Sequence, residues 1–322
     1  MKSAFIAFLT LAALPCCLQA EAADPALAMF APLPDTAPSV DNPLSPQKIK
    51  LGRKLYFEKA LSSSKEISCN SCHGLNTFGV DNQPTSPGHM GQRGDRNSPT
   101  VYNAALHFAQ FWDGRARDVE EQALGPILNP VEMAMGSDAE VLERIKLMPE
   151  YVKLFKEAFP EEKEPMSYAN LGKAIGAFER TLLTPSRFDN YLKGDKQALN
   201  ADEIKGLKTF VESGCTVCHS GAALGGSMYQ KLGLVIPYAT KDEGRYKVTK
   251  NEADKYFFKV PSLRNVEKTG PWFHDGSITS LEESVRLMGY HQLGQKLEED
   301  KIKSIVTFLR TLTGTHPEMN AH

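Results

Sequence analysis

The pentapeptides Cys69-Asn70-Ser71-Cys72-His73 and Cys215-Thr216-Val217-Cys218-His219 share one pattern, two cysteines two residues apart with a histidine directly after the second. One such pattern arises by chance on the order of once in a thousand chains of this length, so two copies constrain the fold strongly. Two thiols at this spacing can add to the vinyl groups of one haem, and the adjacent imidazole can turn onto the iron from the proximal side. A zinc ion would accept the thiol pairs equally well. The immediate histidine in both copies is what haem attachment needs and a zinc ribbon does not. Two covalently attached haem c groups are therefore expected, one at Cys69, Cys72 and His73 and one at Cys215, Cys218 and His219.

The N-terminus suggests where such a chain works. Lys2, the apolar run from Ala4 to Leu14 and Ala20-Glu21-Ala22 read as a secretory signal peptide over residues 1–22. That run is shorter than the ~20 apolar residues of a membrane span, and no later stretch reaches this length, so no span is expected. Cys16 and Cys17 would leave with the signal, and Pro15 suits lipid anchoring at Cys17 poorly. The other four cysteines all lie in the two motifs, which leaves no thiol for a disulfide and points to haem attachment after export, in the periplasm. A net charge of −2 gives no electrostatic footprint for nucleic acid.

The mature chain reads as two domains, 23–195 and 196–322, with one motif each. It looks like an imperfect duplication. Ser45-Pro46 opens a helix carrying Gly52, Lys54 and Tyr56 before the first motif. Asn200 and Glu203 form a capping box whose helix carries Gly206, Lys208 and Phe210 before the second. Ser137 to Glu140 cap a run with Val141, Leu142 and Ile145 that breaks near Pro149. Leu171, Ala174, Ile175, Phe178 and Leu182 form one apolar stripe, and Ile302, Ile305, Val306, Leu309 and Leu312 another. These are core faces, and the fold expected is mainly α, two cytochrome c-like haem domains. The stretches from His73 to about Val119 and from Leu224 to Val260 lack period and are rich in Gly, Pro, Asn and Ser. Extended loops of that length are expected where a porphyrin supplies the apolar surface they pack on.

An iron with one histidine carries electrons if a second strong ligand closes it, and catalyses if that position opens. Candidate sixth ligands are His89, Met90, His107, Met133 and Met135 in the first half, and Met228, His274, Met288 and His291 in the second. His107, within Leu106-His107-Phe108, reads better as a packed core histidine.

Several further motifs stand in a fixed order. They are Pro87-Gly88-His89-Met90, Arg96-Asn97-Ser98-Pro99-Thr100, Phe111-Trp112-Asp113-Gly114-Arg115, Gln122, and Asn129-Pro130-Val131-Glu132-Met133. After the second haem motif come Val260 to Asn265, Thr269-Gly270-Pro271-Trp272-Phe273-His274-Asp275-Gly276 and Met288. In these the chain resembles the bacterial di-haem cytochrome c peroxidases over essentially its whole mature length. The resemblance implies reduction of hydrogen peroxide to water with two electrons from a small redox protein, a monohaem cytochrome c or a cupredoxin, and a homodimer. The first haem is then the low-potential peroxidatic site, with His73 proximal and His89 a displaceable distal ligand. The second is the high-potential entry site, with His219 and Met288 axial, because a thioether compensates ferric charge less than a second imidazole does. Trp112 matches the residue that couples the haems. Gln122 and Glu132 match the distal pair, in which a carboxylate can move a proton between the peroxide oxygens. Asn97, Thr269 and Pro271 match positions that supply oxygen ligands to a calcium ion, two of them through backbone carbonyls. Two other activities are compatible with the motifs. One is a non-catalytic di-haem electron carrier. The other is a di-haem oxidase of a protein substrate, similar to the tryptophan tryptophylquinone maturation enzyme, which has Tyr in place of the axial Met; here Met288 is present, with Tyr290 two residues on.

Overall fold

The computed structural model describes residues 25–321, so the signal peptide expected at 1–22 lies outside the described residues. The chain is mainly helical, and most of its helices begin where polar side chains satisfy free N–H groups of the first turn, Pro149–Ala158, Tyr246–Thr249 and Glu299–Arg310 being the exceptions among the described residues. In α1 (Pro46–Tyr56) Ser45 accepts from Lys48 N, and Pro46 occupies the first turn. The four-residue α2 (Cys69–Cys72) starts the first motif. Asp118 caps α3 (Val119–Leu128), Ser137 caps α4 (Asp138–Lys146), and Pro149 opens α5 (Pro149–Ala158). Next come α6 (Tyr168–Glu179), α7 (Arg187–Leu192) and α8 (Ala201–Glu212), the last entered through the expected reciprocal pair of Asn200 and Glu203. A 3-10 turn at Cys215–Val217 begins the second motif. It is followed by β1 (Tyr229–Lys231), α9 (Tyr246–Thr249), β2 (Phe257–Lys259), α10 (Leu281–Leu293) and α11 (Glu299–Arg310). The two strands pair antiparallel with Tyr229 opposite Lys259. No helix among the described residues is long and apolar enough to cross a membrane.

Two apolar cores form. The first gathers Leu51, Leu55 and Tyr56 of α1 with Leu171, Ile175 and Phe178 of α6. Leu207, Phe210, Ile302, Ile305 and Phe308 build the second. Both depend on a close helix crossing. A Cβ on Gly52 would stand 1.8 Å from the Ala174 carbonyl oxygen of α6, and one on Gly206 would stand 2.2 Å from the Ser304 carbonyl oxygen of α11. The repeated glycine is therefore the contact point of the same two-helix arrangement in each half. The repeat extends into the loops. Asn103 and Asn265 both adopt left-handed backbone, φ 63° and 60°, and both donate to Thr184 Oγ1, at 2.8 and 2.9 Å. Phe111-x-Asp113-Gly114 and Phe273-x-Asp275-Gly276 make equivalent turns, with positive φ at each Phe and Gly.

The termini cross between the cores. Phe30 packs on Phe188 in the second core, and Leu33 N donates to Asp189 Oδ1 at 2.7 Å. At the other end Glu318 makes a forked ion pair with Arg53 of α1, at 2.7 and 2.9 Å. Asp189 also pairs with Arg264 at 2.5 and 2.9 Å, both side chains being essentially inaccessible. Burial alone would raise the Asp189 carboxyl; hydrogen bonds from Arg264 and from the Leu33 and Ser186 amides instead hold it below the usual range.

Candidate functional site

In the first half α2 presents Cys69 and Cys72 one turn apart, and His73 ends the helix with its amide bonded to the Cys69 carbonyl. The Tyr56 hydroxyl, fixed in the first core, donates to the His73 carbonyl at 2.6 Å. Burial pushes the His73 imidazole below its ordinary pKa, so it is held neutral, as a metal ligand must be. The carbonyls of Gly79 and Pro99 face that ring.

The segment carrying His89 is fastened against the loop carrying Glu132. His89 N donates to the carbonyls of Val131 and Glu132 at 2.9 and 2.8 Å. Gly88 permits this approach, because a Cβ there would meet the Val131 oxygen at 2.0 Å. The 129–135 loop is itself strapped to the end of α3, with Met133 N bonded to Pro126 O and Met135 N to Ile127 O. Asn129 Nδ2 donates to Glu132 Oε1 at 2.9 Å. Burial lifts the Glu132 carboxyl above its ordinary range, against the opposing pull of Arg115 and Asn129. Ser86 and Glu132 both lie close enough to act on the Cys72 thiol, so the structure brings the first motif, His89 and Glu132 together. Gln122 is half-buried on α3. The other sixth-ligand candidates separate from this group. Met90 is 86% exposed, and Met133 and Met135 lie within the apolar core. The Nδ1 of His89 is buried without a partner.

In the second half one apolar cavity is lined by Cys215, Cys218, His219 and Met288 together with Leu, Val, Ile and Phe side chains. His219 Nδ1 bonds the Leu224 carbonyl at 3.1 Å, which makes Nδ1 the protonated nitrogen and leaves Nε2 as the ligating one. Burial lowers the His219 pKa to about 4. These residues fit a haem: paired thiols, a neutral oriented imidazole, a thioether and an apolar wall. Met288 lines the cavity, whereas Tyr290 is 45% exposed and does not line it. His291 turns its Nδ1 to the Ile236 carbonyl at 2.9 Å. Burial raises the Cys69 and Cys215 thiols to about 12, so neither is the thiolate that disulfide exchange requires. Among the described residues no three His, Cys, Asp or Glu converge as they would around zinc.

Asn97 joins the two equivalent turns. Its amide donates to the His274 carbonyl at 2.8 Å, and its carbonyl accepts from Trp112 Nε1 at 2.8 Å. Asn97, Trp112, Thr269 and Pro271 line one cavity with the second motif. The Asn97 side-chain amide donates to the carbonyls of Gln83 and Pro84, and no donor among the described residues bonds its Oδ1. Arg96 next to it spans Asp113 and Asp242 at 2.6 Å each. Burial would raise the Asp242 carboxyl, but hydrogen bonds from Arg96, the Gly244 amide and Lys247 hold it far below the usual range.

Sequence reading missed the lining role of His107 and Lys259. His107 is not simply packed in a core. It borders the second cavity, with Lys259 Nζ at 3.1 Å from its Nδ1. The one signal for Lys259 was a lysine inside the apolar run Tyr256-Phe257-Phe258-Lys259-Val260.

A helical fold with two such motifs, each leading out of a helix with an aromatic inner face, defines an oxidoreductase of the c-type cytochrome class. A family profile described as di-haem cytochrome c peroxidase matches residues 46–197. The cytochrome c551 peroxidase of Pseudomonas aeruginosa is 48% identical over 304 residues, covering 92% of this chain and 87% of that protein. The cytochrome c551 peroxidase of Nitrosomonas europaea is 50% identical over 273 residues, covering 84% and 80%. A solved MauG-like protein associated with microbial copper homeostasis superposes with a TM-score of 0.79 at 29% identity, over 89% of this chain and 96% of that one. The chain belongs to the di-haem cytochrome c peroxidase family.

Proposed function

We propose that this enzyme reduces hydrogen peroxide to two waters in the periplasm, consuming two protons and two electrons from a monohaem cytochrome c or a cupredoxin. When bound, two haem c groups supply the redox chemistry, with electrons entering in the second half and peroxide meeting the first. Cys69 and Cys72 would hold one group and Cys215 and Cys218 the other. His73 and His219 would hold the irons, His89 would bind and release the iron of the first half, and Met288 would hold that of the second. Trp112, held between Asn97 and Lys259, couples the halves. The oxygens of Asn97, Thr269 and Pro271 would take a calcium ion at that junction. The domains are 23–195 and 196–322 with one haem motif each, although Phe30, Phe188 and Tyr191 of the first pack in the second core, and the working form is a homodimer.

The observation that carries this reading is the position of Glu132, a half-buried carboxylate held by Asn129 beside the His89 backbone and close to Cys72. There it can take the proton from one peroxide oxygen and return it to the other, so that water leaves instead of hydroxide. Gln122 contributes polarity but cannot carry a proton. Glu132→Gln keeps size and hydrogen bonding and removes the exchangeable proton. Its turnover of peroxide with a reduced donor should fall by about 100-fold or more with both haems still attached. Turnover near that of the wild type would move the acid–base role to another group.

A further inference from the structure

Among the described residues, Lys259 is the only side chain with a formal charge lining the cavity of the second half. It is 5% exposed, and no carboxylate among the described residues pairs with it. A buried ammonium without a counter-charge is strongly disfavoured, so this position implies an anion that occupies the cavity. Burial draws its pKa down to about 8, the shift expected of a cation lacking its partner.

His107 points the same way. An ammonium has only donors, so at 3.1 Å from Lys259 Nζ the His107 Nδ1 must accept, and the ring proton sits on Nε2. That Nε2 is buried with no partner. The chain is shaped to keep both side chains there. Lys259 N is fixed to the Trp112 carbonyl at 2.8 Å, and Phe108 N to the Gly226 carbonyl at 2.9 Å. Gly226 has φ +72°, and a Cβ on it would meet His107 Cδ2 at 2.2 Å. The two ring nitrogens point apart, so Nε2–H faces away from Lys259 and the ammonium is left to an acceptor of its own, which a carboxylate supplies.

We propose that Lys259 binds a propionate carboxylate of the haem in the second half as its counter-charge, with His107 Nδ1 accepting from the ammonium and holding it in place. The assignment rests on that half binding haem c.

The test uses purified wild-type holoprotein and the variants Lys259→Met, Lys259→Arg and His107→Phe. Haem is counted by its pyridine complex, each haem's oxidation state is followed in a spectroelectrochemical titration, and propionate bending bands are read by resonance Raman. A nearby cation disfavours ferric iron. In Lys259→Met the ferrous-to-ferric ratio of the second haem at fixed potential should therefore fall at least tenfold, about 59 mV for a one-electron couple. The first haem should not shift, and Lys259→Arg should stay within about twofold of wild type. The propionate band should move in Lys259→Met and in His107→Phe, the latter giving an independent reading should the methionine variant not fold. Full haem content with unchanged ratio and band overturns the assignment, as does a shift confined to the first haem. Wild-type protein holding no second haem would overturn the underlying reading and this assignment with it, and is recognised before any variant is compared.

Discussion

A thioether and an imidazole make different demands on iron, and the proposed ligand Met288 is where that difference would be set in the second half. Its side chain lines the same cavity as Cys215, Cys218 and His219, while Tyr290 faces outward. Replacing Met288 by His supplies a stronger donor to ferric iron. The potential of the second haem should fall by roughly 0.1–0.2 V, a modest part of the ~0.8 V that axial ligands span. A redox titration following the two haems separately checks this, and an unchanged potential would pass the axial position to Met228 or His291. In the first half the structure narrows the candidates by simple exclusion, because Met90 faces solvent and Met133 and Met135 fill the core. No spacing could show this. The bonds that aim His89 run to Val131 and Glu132, some forty residues along the chain.

Helix crossings repeat the same device in both halves. Gly206 lets α8 approach the α11 backbone so closely that a methyl would have to displace the Ser304 carbonyl, which cannot rotate away as a side chain could. Gly206→Ala should cost about 1–3 kcal/mol of stability by overpacking, seen as a lower urea midpoint with haem content unchanged. A midpoint equal to wild type would show that the crossing tolerates a wider separation. This part of the fold was legible in the sequence: caps at Ser45, Ser137 and Asn200, stripes on α6 and α11, and the paired Gly52 and Gly206 are all local or periodic signals. The loops were not. Asn103 and Asn265 both lean on Thr184, and the turns at Phe111 and Phe273 match in backbone, yet these equivalences rest on tertiary hydrogen bonds and positive φ that leave no period. Lys259 and His107 escaped for the same reason, since a strand lysine and a loop histidine 152 positions apart give no joint pattern.

Across the whole molecule the two halves are tied at several levels. Phe30 packs into the second core and Glu318 pairs with α1 of the first. The Arg96 bridge to Asp113 and Asp242 and the Asn97 link between Trp112 and His274 close the junction. An electron carrier needs only this rigid coupling. A peroxidase needs in addition one iron that can open, and the proposed switch is the turn bearing His89, seated on the Glu132 loop among Pro84, Pro87, Gly88, Gly91 and Gly94. Stopped-flow mixing of peroxide with fully oxidised wild type and with fully oxidised His89→Gly tests that claim most directly. The variant should present an open or water-bound iron and react at once, while oxidised wild type stays unreactive until one electron has been supplied. Equal reactivity of the two proteins, or a low-spin spectrum with both axial ligands surviving in the variant, would contradict the switch and leave an electron carrier in its place.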